Sequence, residues 1–329
     1  MKQSPPWRAK LELALCKLGL LVVPPLPRRA VVMLAHAIAA VGWLVARRER
    51  RVGQANLDLA FGATLTPAAK RAILRESFYT FALLMLDVFW FSKHIRERVE
   101  RWVEFDASME PLWQHRATVG VTAHMGNWEL LGQSVLLRGY PLASVVMPLA
   151  NPAVDELFRQ VRADNGQQVV PRQGAVRHLL RALRSGHKIA LLLDQNTLPQ
   201  EGGQFVPFFG VPVPVSAAGS VLGLKTGALF FFGFCLPQPD GHYRMLSSGS
   251  FTPDPLTPGC DEAAAVAALT LRTAAMIEQV VREHPGQWLW TYKRCKFIAP
   301  GADPALYPYY AKPTPAAAKP DASSAKTSD

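Results

Sequence analysis

Residues 119–132, VGVTAHMGNWELLG, place His124 and Glu129 between an apolar stretch and a run of leucines at helical spacing. An imidazole can take a proton from a substrate hydroxyl, and a carboxylate on its other nitrogen fixes the tautomer and stabilises the imidazolium. The two side chains together indicate general-base chemistry in which the substrate supplies the nucleophile.

The elements around these residues decide whether they can meet. Residues 119–123 are expected to form a buried strand, and a helix is expected from Asn127 onward. On one continuous helix, five positions would separate His124 and Glu129 by roughly 140°. Gly126 permits a turn between them and Asn127 suits a helix N-cap, so Glu129 can lie in the first helical turn and hydrogen-bond the imidazole. Backbone N–H groups at the helix start could then hold an oxyanion.

The spacing alone has little specificity, because a chain with eight histidines contains such a pair by chance. The wider context is more specific, since three further segments and Asn56-Leu57 accompany it. The segments are KIALLLDQN (188–196), FVPFFGVPVPVSAAGSVLGLKTGA (205–228) and WLWTYKRCKF (288–297). In this order they resemble the bacterial late acyltransferases of lipid A biosynthesis, within the lysophospholipid acyltransferase superfamily.

The resemblance implies transfer of an acyl chain from a thioester, carried by acyl carrier protein or CoA, to a hydroxyl of a phosphorylated glycolipid such as a lipid A precursor. His124 would be the base, oriented by Glu129, without a covalent acyl-enzyme, a cofactor or a metal. The substrate-binding residues that it implies are Asn127, Arg162, Asp194, Gln195, Lys225 and Arg294.

Each of these roles has a simpler alternative. Arg162 could be a solvated helix charge rather than a phosphate ligand. Asp194 and Gln195 could hydrogen-bond the catalytic turn or the acceptor sugar, or merely cap a strand end. Lys225 and Arg294 are weaker candidates for headgroup contacts, and Lys225 and Cys295 depart from the family pattern, which expects arginine and an aromatic residue there more often.

The alternation of periodicities predicts an α/β domain with a mostly parallel central sheet flanked by helices. Helices are expected at about 67–92, 127–138, 151–165, 173–185, 216–226 and 261–283, and strands near 118–123, 143–147, 188–193, 228–236 and 243–250. His124 and Asp194 then both follow strands, where ligand crevices of open α/β sheets lie.

The N-terminus is both basic and apolar. Residues 1–51 carry +8 of the net charge of +11, and residues 30–46 form an apolar run broken only by His36. Its helical length of roughly 25 Å is at the short end for a bilayer span, and residues 11–23 suit an interfacial helix. Arginines at 47–51 favour a cytoplasmic flank, so we expect an N-terminal anchor in the inner membrane, with a cleavable signal peptide as the alternative.

The domain organisation expected is an anchor at 1–51, an acyltransferase domain at 52–310 and a disordered tail at 311–329, where Lys, Pro, Ala, Ser and Asp dominate. Nucleic-acid binding is disfavoured despite a pI of 9.7, because zinc spacings and RNA-binding motifs are absent from the sequence. The four cysteines are scattered and are interpreted as structural thiols. Two other functions stay open: an acyltransferase with a different phospholipid or glycolipid acceptor, and a non-catalytic lipid-binding membrane protein.

Overall fold

The computed structural model describes residues 5–146, 149–164, 168–171, 174–257 and 259–315. The helices are α1 (Pro6–Val22), α2 (Arg28–Val45), α3 (Arg47–Phe61), α4 (Pro67–Trp90), α5 (Ile95–Trp102), α6 (Trp128–Leu137), α7 (Pro152–Asp164), α8 (Ala175–Arg184), α9 (Ala218–Thr226) and α10 (Glu262–Glu283). The strands are β1 (Val103–Phe105), β2 (Thr118–Thr122), β3 (Leu142–Val146), β4 (Gln168–Pro171), β5 (Lys188–Leu192), β6 (Gly203–Phe208), β7 (Val211–Ser216), β8 (Leu229–Pro237), β9 (Tyr243–Phe251), β10 (Phe297–Ile298) and β11 (Lys312–Pro313).

A seven-stranded sheet in the order β1-β9-β8-β2-β5-β3-β4 forms the centre of the molecule. All neighbouring strands are parallel except β8 and β9, which pair antiparallel. The predicted α/β class with a mostly parallel sheet is therefore confirmed. Strand β2, at the middle of the sheet, pairs with β8 on one side and β5 on the other.

Both faces of the sheet are covered, as parallel sheets require. On one face, Val119 and Val121 join the core that contains Phe230, Phe232 and Ile189. On the other face, Phe231 and residues of α6 pack with α2, α4 and the short helical turn Ala107–Trp113. Alternate residues of each strand thus belong to different cores.

Several elements were not predicted. Strands β1 and β4 and the antiparallel hairpin of β6 and β7 lie outside the predicted strands. Strand β1 has three residues, and the hairpin strands carry Pro207, Pro212 and Pro214, which lower strand propensity. Short and proline-containing strands form here because tertiary pairing outweighs local preference.

Helices α1 and α2 pack on the rest of the chain through α4. Arg28 at the start of α2 is buried and donates through Nη1 and Nη2 to the carboxylate of Asp87 in α4, and Nε donates to the carbonyl oxygen of Gly241 at 2.8 Å. The Tyr243 hydroxyl also donates to Asp87. This buried ionic cluster joins α2 and α4 to strand β9. The predicted boundary between residues 51 and 52 falls inside α3, because Val52, Leu57 and Ala60 continue one helix and are buried.

The start of the expected tail is ordered. Lys312 and Pro313 form β11 beside β10, and the buried Tyr310 donates to Oδ1 of Asn56. The prediction of disorder from residue 311 is therefore wrong for residues 311–315, where the sheet pair and Tyr310 hold the chain. Residues 316–329 lie outside the described part.

Candidate active site

The turn between β2 and α6 is held from both sides. Gly126 has φ of +57°, and a Cβ there would lie 2.1 Å from the carbonyl oxygen of Cys235. A side chain at this position is therefore excluded by both backbone conformation and space. The Gly126 N–H donates to the carbonyl oxygen of Gln287 at 2.9 Å, and Met125 forms an antiparallel bridge with Trp288.

His124 is fixed by a carboxylate from the neighbouring strand. Nδ1 of His124 lies 2.8 Å from Oδ1 of Asp194, and the backbone N–H of His124 donates to Oδ2 at 2.9 Å. The register explains this contact, because Thr122 of β2 pairs with Leu192 of β5 and His124 and Asp194 each lie two positions beyond these residues. Nε1 of Trp288 donates to the same Oδ2 at 2.8 Å.

The carboxylate of Asp194 is buried and accepts hydrogen bonds on both oxygens. Burial by itself raises the pKa of Asp194, but the charge and hydrogen bonds of His124, with the Trp288 indole N–H, hold it below its ordinary value. An ionised carboxylate only accepts, so Nδ1 of a neutral His124 carries the proton. The lone pair is then on Nε2.

Gln195 lies at that second nitrogen. Its Nε2 is 3.1 Å from Nε2 of His124, a distance at which the amide donates to the imidazole lone pair. The His124 side chain is 20% exposed, and both His124 and Gln195 line a cavity at the carboxyl ends of the strands. Asp194 and Gln195 therefore both hydrogen-bond His124, and a contact of either residue with the acceptor sugar stays a prediction.

Glu129 lies in the first turn of α6 and lines the same cavity as His124. The expected turn and the N-cap are present, since Oδ1 of Asn127 accepts from the backbone N–H of Leu130 at 2.9 Å. The carboxylate at Nδ1 of His124, however, belongs to Asp194. It does not belong to Glu129, the residue that the sequence predicts to orient the imidazole. A catalytic role for Glu129 stays a prediction.

Asn127 is a structural residue in this geometry. Its side chain is buried and caps α6, and its backbone N–H donates to the carbonyl oxygen of Cys235 at 2.8 Å. The N–H groups of Gly126, Asn127 and Leu130 thus have acceptors within the chain. An oxyanion site at the start of α6 stays a prediction.

Three cationic residues, Arg162, Lys225 and Arg294, were predicted to bind substrate. None of the side chains that the structure describes among them contacts His124. Arg294 is 2% exposed, and its Nη1 donates to Oδ1 of Asn196 and to the carbonyl oxygen of Pro214, both at 3.1 Å. Arg294 thus holds the segment after Asp194, and its predicted contact with a headgroup stays a prediction. The Arg162 side chain lies outside the described residues, although its backbone belongs to α7.

Lys225 is in the last turn of α9 and pairs with Glu262 at 3.5 Å. Helix α9 runs from the carboxyl edge of the sheet, where Ala218 lines the cavity, toward the start of β8 at the opposite edge. Lys225 therefore lies at the amino ends of the strands, away from His124, because a crossover helix runs antiparallel to the strands that it joins.

Trp288 is a site residue that the sequence analysis did not single out. It lies in the quoted segment 288–297, and its indole N–H and backbone fix Asp194 and the catalytic turn. Asn56 contributes as well, since its amide donates to the carbonyl oxygens of Trp290 and Tyr292 at 2.7 and 2.8 Å. Both residues lie in segments that carry the family resemblance. Their contacts could not be predicted from the motifs, because they join residues more than 90 positions apart.

A cavity of about 550 Å³ begins at His124 and continues along the sheet. It is bounded by α6 and by side chains of β2, β3, β5 and β8, among them Gly120, Ala190, Ser144 and Phe231. Phe231 lines this cavity, whereas Phe208, Phe209, Phe230 and Phe232 pack in the core. Within the described residues, no group of three or more His, Cys, Asp or Glu side chains is arranged to hold a metal.

The model of the bacterial lipid A biosynthesis acyltransferase family matches residues 9–297. The chain is 24% identical over 289 residues to the lipid A biosynthesis palmitoleoyltransferase of Escherichia coli (strain K12), covering 86% of this chain and 90% of that protein. It is also 24% identical over 172 residues to a phosphatidylinositol mannoside acyltransferase of Mycobacterium tuberculosis (strain ATCC 25618 / H37Rv), which covers half of each protein.

Among solved structures, the 1-acyl-sn-glycerophosphate acyltransferase from Thermotoga maritima matches 80% of this chain and 99% of that chain. The identity is 13% and the TM-score is 0.36, so this likeness adds nothing to the assignment.

Proposed function

Because this chain belongs to the bacterial lipid A biosynthesis acyltransferase family and is an acyltransferase, we propose that it transfers a fatty acyl chain from an acyl thioester to a hydroxyl of a lipid A precursor, with His124 as general base. The observation that supports this mechanism best is the pair of His124 and Asp194 at the mouth of a deep cavity.

The proposed reaction begins with Asp194 ionised and the proton of His124 on Nδ1, which leaves Nε2 free to accept. The acceptor hydroxyl takes the place of the Gln195 amide on Nε2 and loses its proton there as its oxygen attacks the thioester carbonyl carbon. The tetrahedral intermediate collapses, the carbon–sulfur bond breaks, and the proton on Nε2 passes to the leaving thiolate. The products are the ester and the free thiol.

Charge develops on the carbonyl oxygen during this attack. The N–H group of Trp128, at the start of α6, is the backbone donor proposed to stabilise it, with the positive end of the helix dipole. The Glu129 side chain, in the same cavity wall, is proposed to assist at the imidazole or at the acceptor hydroxyl.

The acyl donor is proposed to be acyl carrier protein, with acyl-CoA as the alternative, and the acceptor a phosphorylated glycolipid. The net charge of +11 would attract an acidic carrier and an anionic lipid surface alike. The similarity to a phosphatidylinositol mannoside acyltransferase favours a different glycolipid acceptor as the second candidate.

Membrane association is proposed through the N-terminal helices. Within the described residues, α2 and α10 are long and apolar enough to cross a bilayer, and α10 packs on the core. Helices α1 and α2 instead expose many large apolar side chains, and α4 adds Phe81 and Met85. The exposed residues on α1 and α2 are Trp7, Leu11, Leu15, Leu18, Leu21, Val22, Met33, Leu34, Ile38, Val41, Leu44 and Val45. Such a surface is typical of a contact with membrane, here proposed to be the cytoplasmic side of the inner membrane.

The experiment that tests the function is mass spectrometry of lipid A from cells that lack the gene and carry wild-type, His124→Ala or His178→Ala copies. His178 is an exposed histidine of α8 and serves as the control. The wild-type and His178→Ala copies should restore one acyl chain, whereas the His124→Ala copy should not, because a general base contributes roughly 10²- to 10⁴-fold to the rate. Unchanged lipid A with an altered phospholipid or glycolipid fraction would move the acceptor to the second candidate. Full restoration by His124→Ala would exclude the mechanism.

A further inference from the structure

The part of the cavity beneath α6 has walls that the register of the sheet sets in rows. Gly120 of β2 is paired with Ala190 of β5 and Phe231 of β8, and Ala190 is paired with Ser144 of β3. All four line the cavity. The row therefore carries three of the smallest side chains side by side at the middle of a sheet, on the face that α6 covers.

Small side chains in this row create the space. A methyl group at Gly120 would lie 2.9 Å from the carbonyl oxygen of Ile189, so this position requires glycine. Above the row, α6 presents Leu131, Gly132 and Val135 to the cavity. The result is a narrow apolar channel that runs from His124 toward the amino ends of the strands.

The next row toward the amino ends of the strands also lines the cavity. It consists of Thr118, Lys188 and Leu142, which the register also places side by side. Lys188 is 2% exposed, its Nζ donates to the carbonyl oxygen of Gln114 at 2.8 Å, and the same nitrogen lies 4.7 Å from the centre of the Tyr140 ring. An ammonium group held by a carbonyl and an aromatic face is costly to displace with a hydrocarbon chain.

We infer that Lys188 forms the floor of the acyl channel and sets the length of the acyl chain that this enzyme transfers, an inference that rests on the proposed function. The four steps from Thr122 to Thr118 span about 13 Å, and the two residues to His124 extend this to about 20 Å. Carbon–carbon bonds of about 1.5 Å at near-tetrahedral angles advance an extended chain about 1.3 Å per carbon, so the channel accommodates roughly 10 to 15 carbons.

Two variants are designed to change the length of the channel in opposite directions, one at the floor and one in the row above it. Lys188→Met keeps the length of the side chain but removes the ammonium group and its two contacts, and a methionine can adjust its position to a longer substrate. Ala190→Leu fills the channel above the floor. Phe230→Leu is the control, because Phe230 neighbours Phe231 on the same strand, is equally buried and packs on the opposite face of the sheet.

The experiment measures kcat/KM of the purified full-length enzyme and these variants with a ladder of even-numbered acyl donors and one acceptor, together with thermal unfolding. For the wild type, kcat/KM should rise about four-fold per methylene and then fall sharply at the floor, above roughly 15 carbons. The fall should move to longer chains in Lys188→Met and to shorter chains in Ala190→Leu, and stay in place in Phe230→Leu.

The outcomes separate the two claims. Acyl transfer with the same length limit in Lys188→Met, Ala190→Leu and wild type, all folded, would overturn the floor and leave the proposed function standing. Absence of transfer from every donor by the wild type would overturn both.

Discussion

Two buried carboxylates in this molecule have similar surroundings and different consequences. Asp194 is 3% exposed and accepts from His124 and the Trp288 indole, and Asp87 is 1% exposed and accepts from Arg28 and the Tyr243 hydroxyl. Each thus joins one nitrogen base and one aromatic donor. The difference lies in the base, because an imidazole has a second nitrogen that faces the cavity, whereas the guanidinium of Arg28 uses its donors on Asp87 and Gly241.

This contrast shows what a buried ion pair needs in order to take part in chemistry. The Asp87 cluster joins α2 and α4 to β9 and stabilises a particular packing of the N-terminal helices. The Asp194 cluster faces a cavity with an imidazole nitrogen that has a lone pair able to accept a proton. Burial and pairing alone do not identify an active site; an available proton acceptor beside a cavity does.

The largest effect should come from Asp194→Asn. Oδ2 accepts from two N–H groups, so the amide oxygen of asparagine should take that position and its NH₂ group should face Nδ1. His124 would then carry its proton on Nε2, the wrong tautomer for a base, and kcat should fall about 10³- to 10⁴-fold with the fold retained. Steady-state kinetics and circular dichroism would measure this.

Glu129→Gln in the same assay compares the two carboxylates. If kcat fell about 10³- to 10⁴-fold in Glu129→Gln and changed little in Asp194→Asn, Glu129 and not Asp194 would orient the base.

Asp87→Asn should lower stability and leave kcat unchanged, the reverse of the result expected for Asp194→Asn. Removing one charge of a buried pair leaves Arg28 without its counter-ion, so the free energy of unfolding should fall by about 3 to 5 kcal/mol. The kcat of the folded fraction should stay near the wild-type value. Denaturant unfolding followed by kinetics at low temperature would check both, and a loss of kcat equal to that of Asp194→Asn would remove the distinction between the clusters.

Trp288→Phe tests the contribution of the second donor on Asp194. The substitution keeps an aromatic ring but removes the indole N–H, a hydrogen bond to a charged group worth about 1.5 to 3 kcal/mol. We expect kcat to fall roughly 10- to 100-fold. Tyr243→Phe is the matched change at Asp87 and should lower stability while kcat is kept. Equal effects of the two variants on kcat would contradict this assignment.

The smallest expected effect is the change in stability with pH that Lys188 causes. Lys188 is a third kind of buried charge, because its ammonium group contacts a carbonyl oxygen and an aromatic ring. Burial, with a smaller effect of Arg116, lowers the pKa of Lys188 from 10.5 to about 8. Between these values the unfolded chain keeps a proton that the folded chain has lost, so this residue makes unfolding harder as pH rises. The wild type should therefore gain stability relative to Lys188→Met from pH 8 to 10.5, measured by denaturant unfolding across this range. Parallel stability curves would show that burial does not lower the pKa of Lys188.

Much of the fold follows from local pattern. The helices at 67–90, 128–137, 152–164, 175–184, 218–226 and 262–283 and the strands at 118–122, 142–146, 188–192, 229–237 and 243–251 were expected within a few residues. These segments are long or strongly periodic, and their ends carry turn and cap residues such as Gly126 and Asn127. The three-residue β1 and the proline-containing hairpin lacked such signals.

Local patterns in the chain predict the class of fold, the position of His124 after a strand, and the motif segments around it. The contact of Asp194 rather than Glu129 with Nδ1, the burial of Arg294 and the place of Lys188 at the end of the channel arise only in the folded chain. The reason is physical: these relations depend on which strands are neighbours and in which register, and register is fixed by packing over the whole sheet. A two-residue offset from Thr122 and Leu192 brings together His124 and Asp194, which are 70 positions apart in the chain.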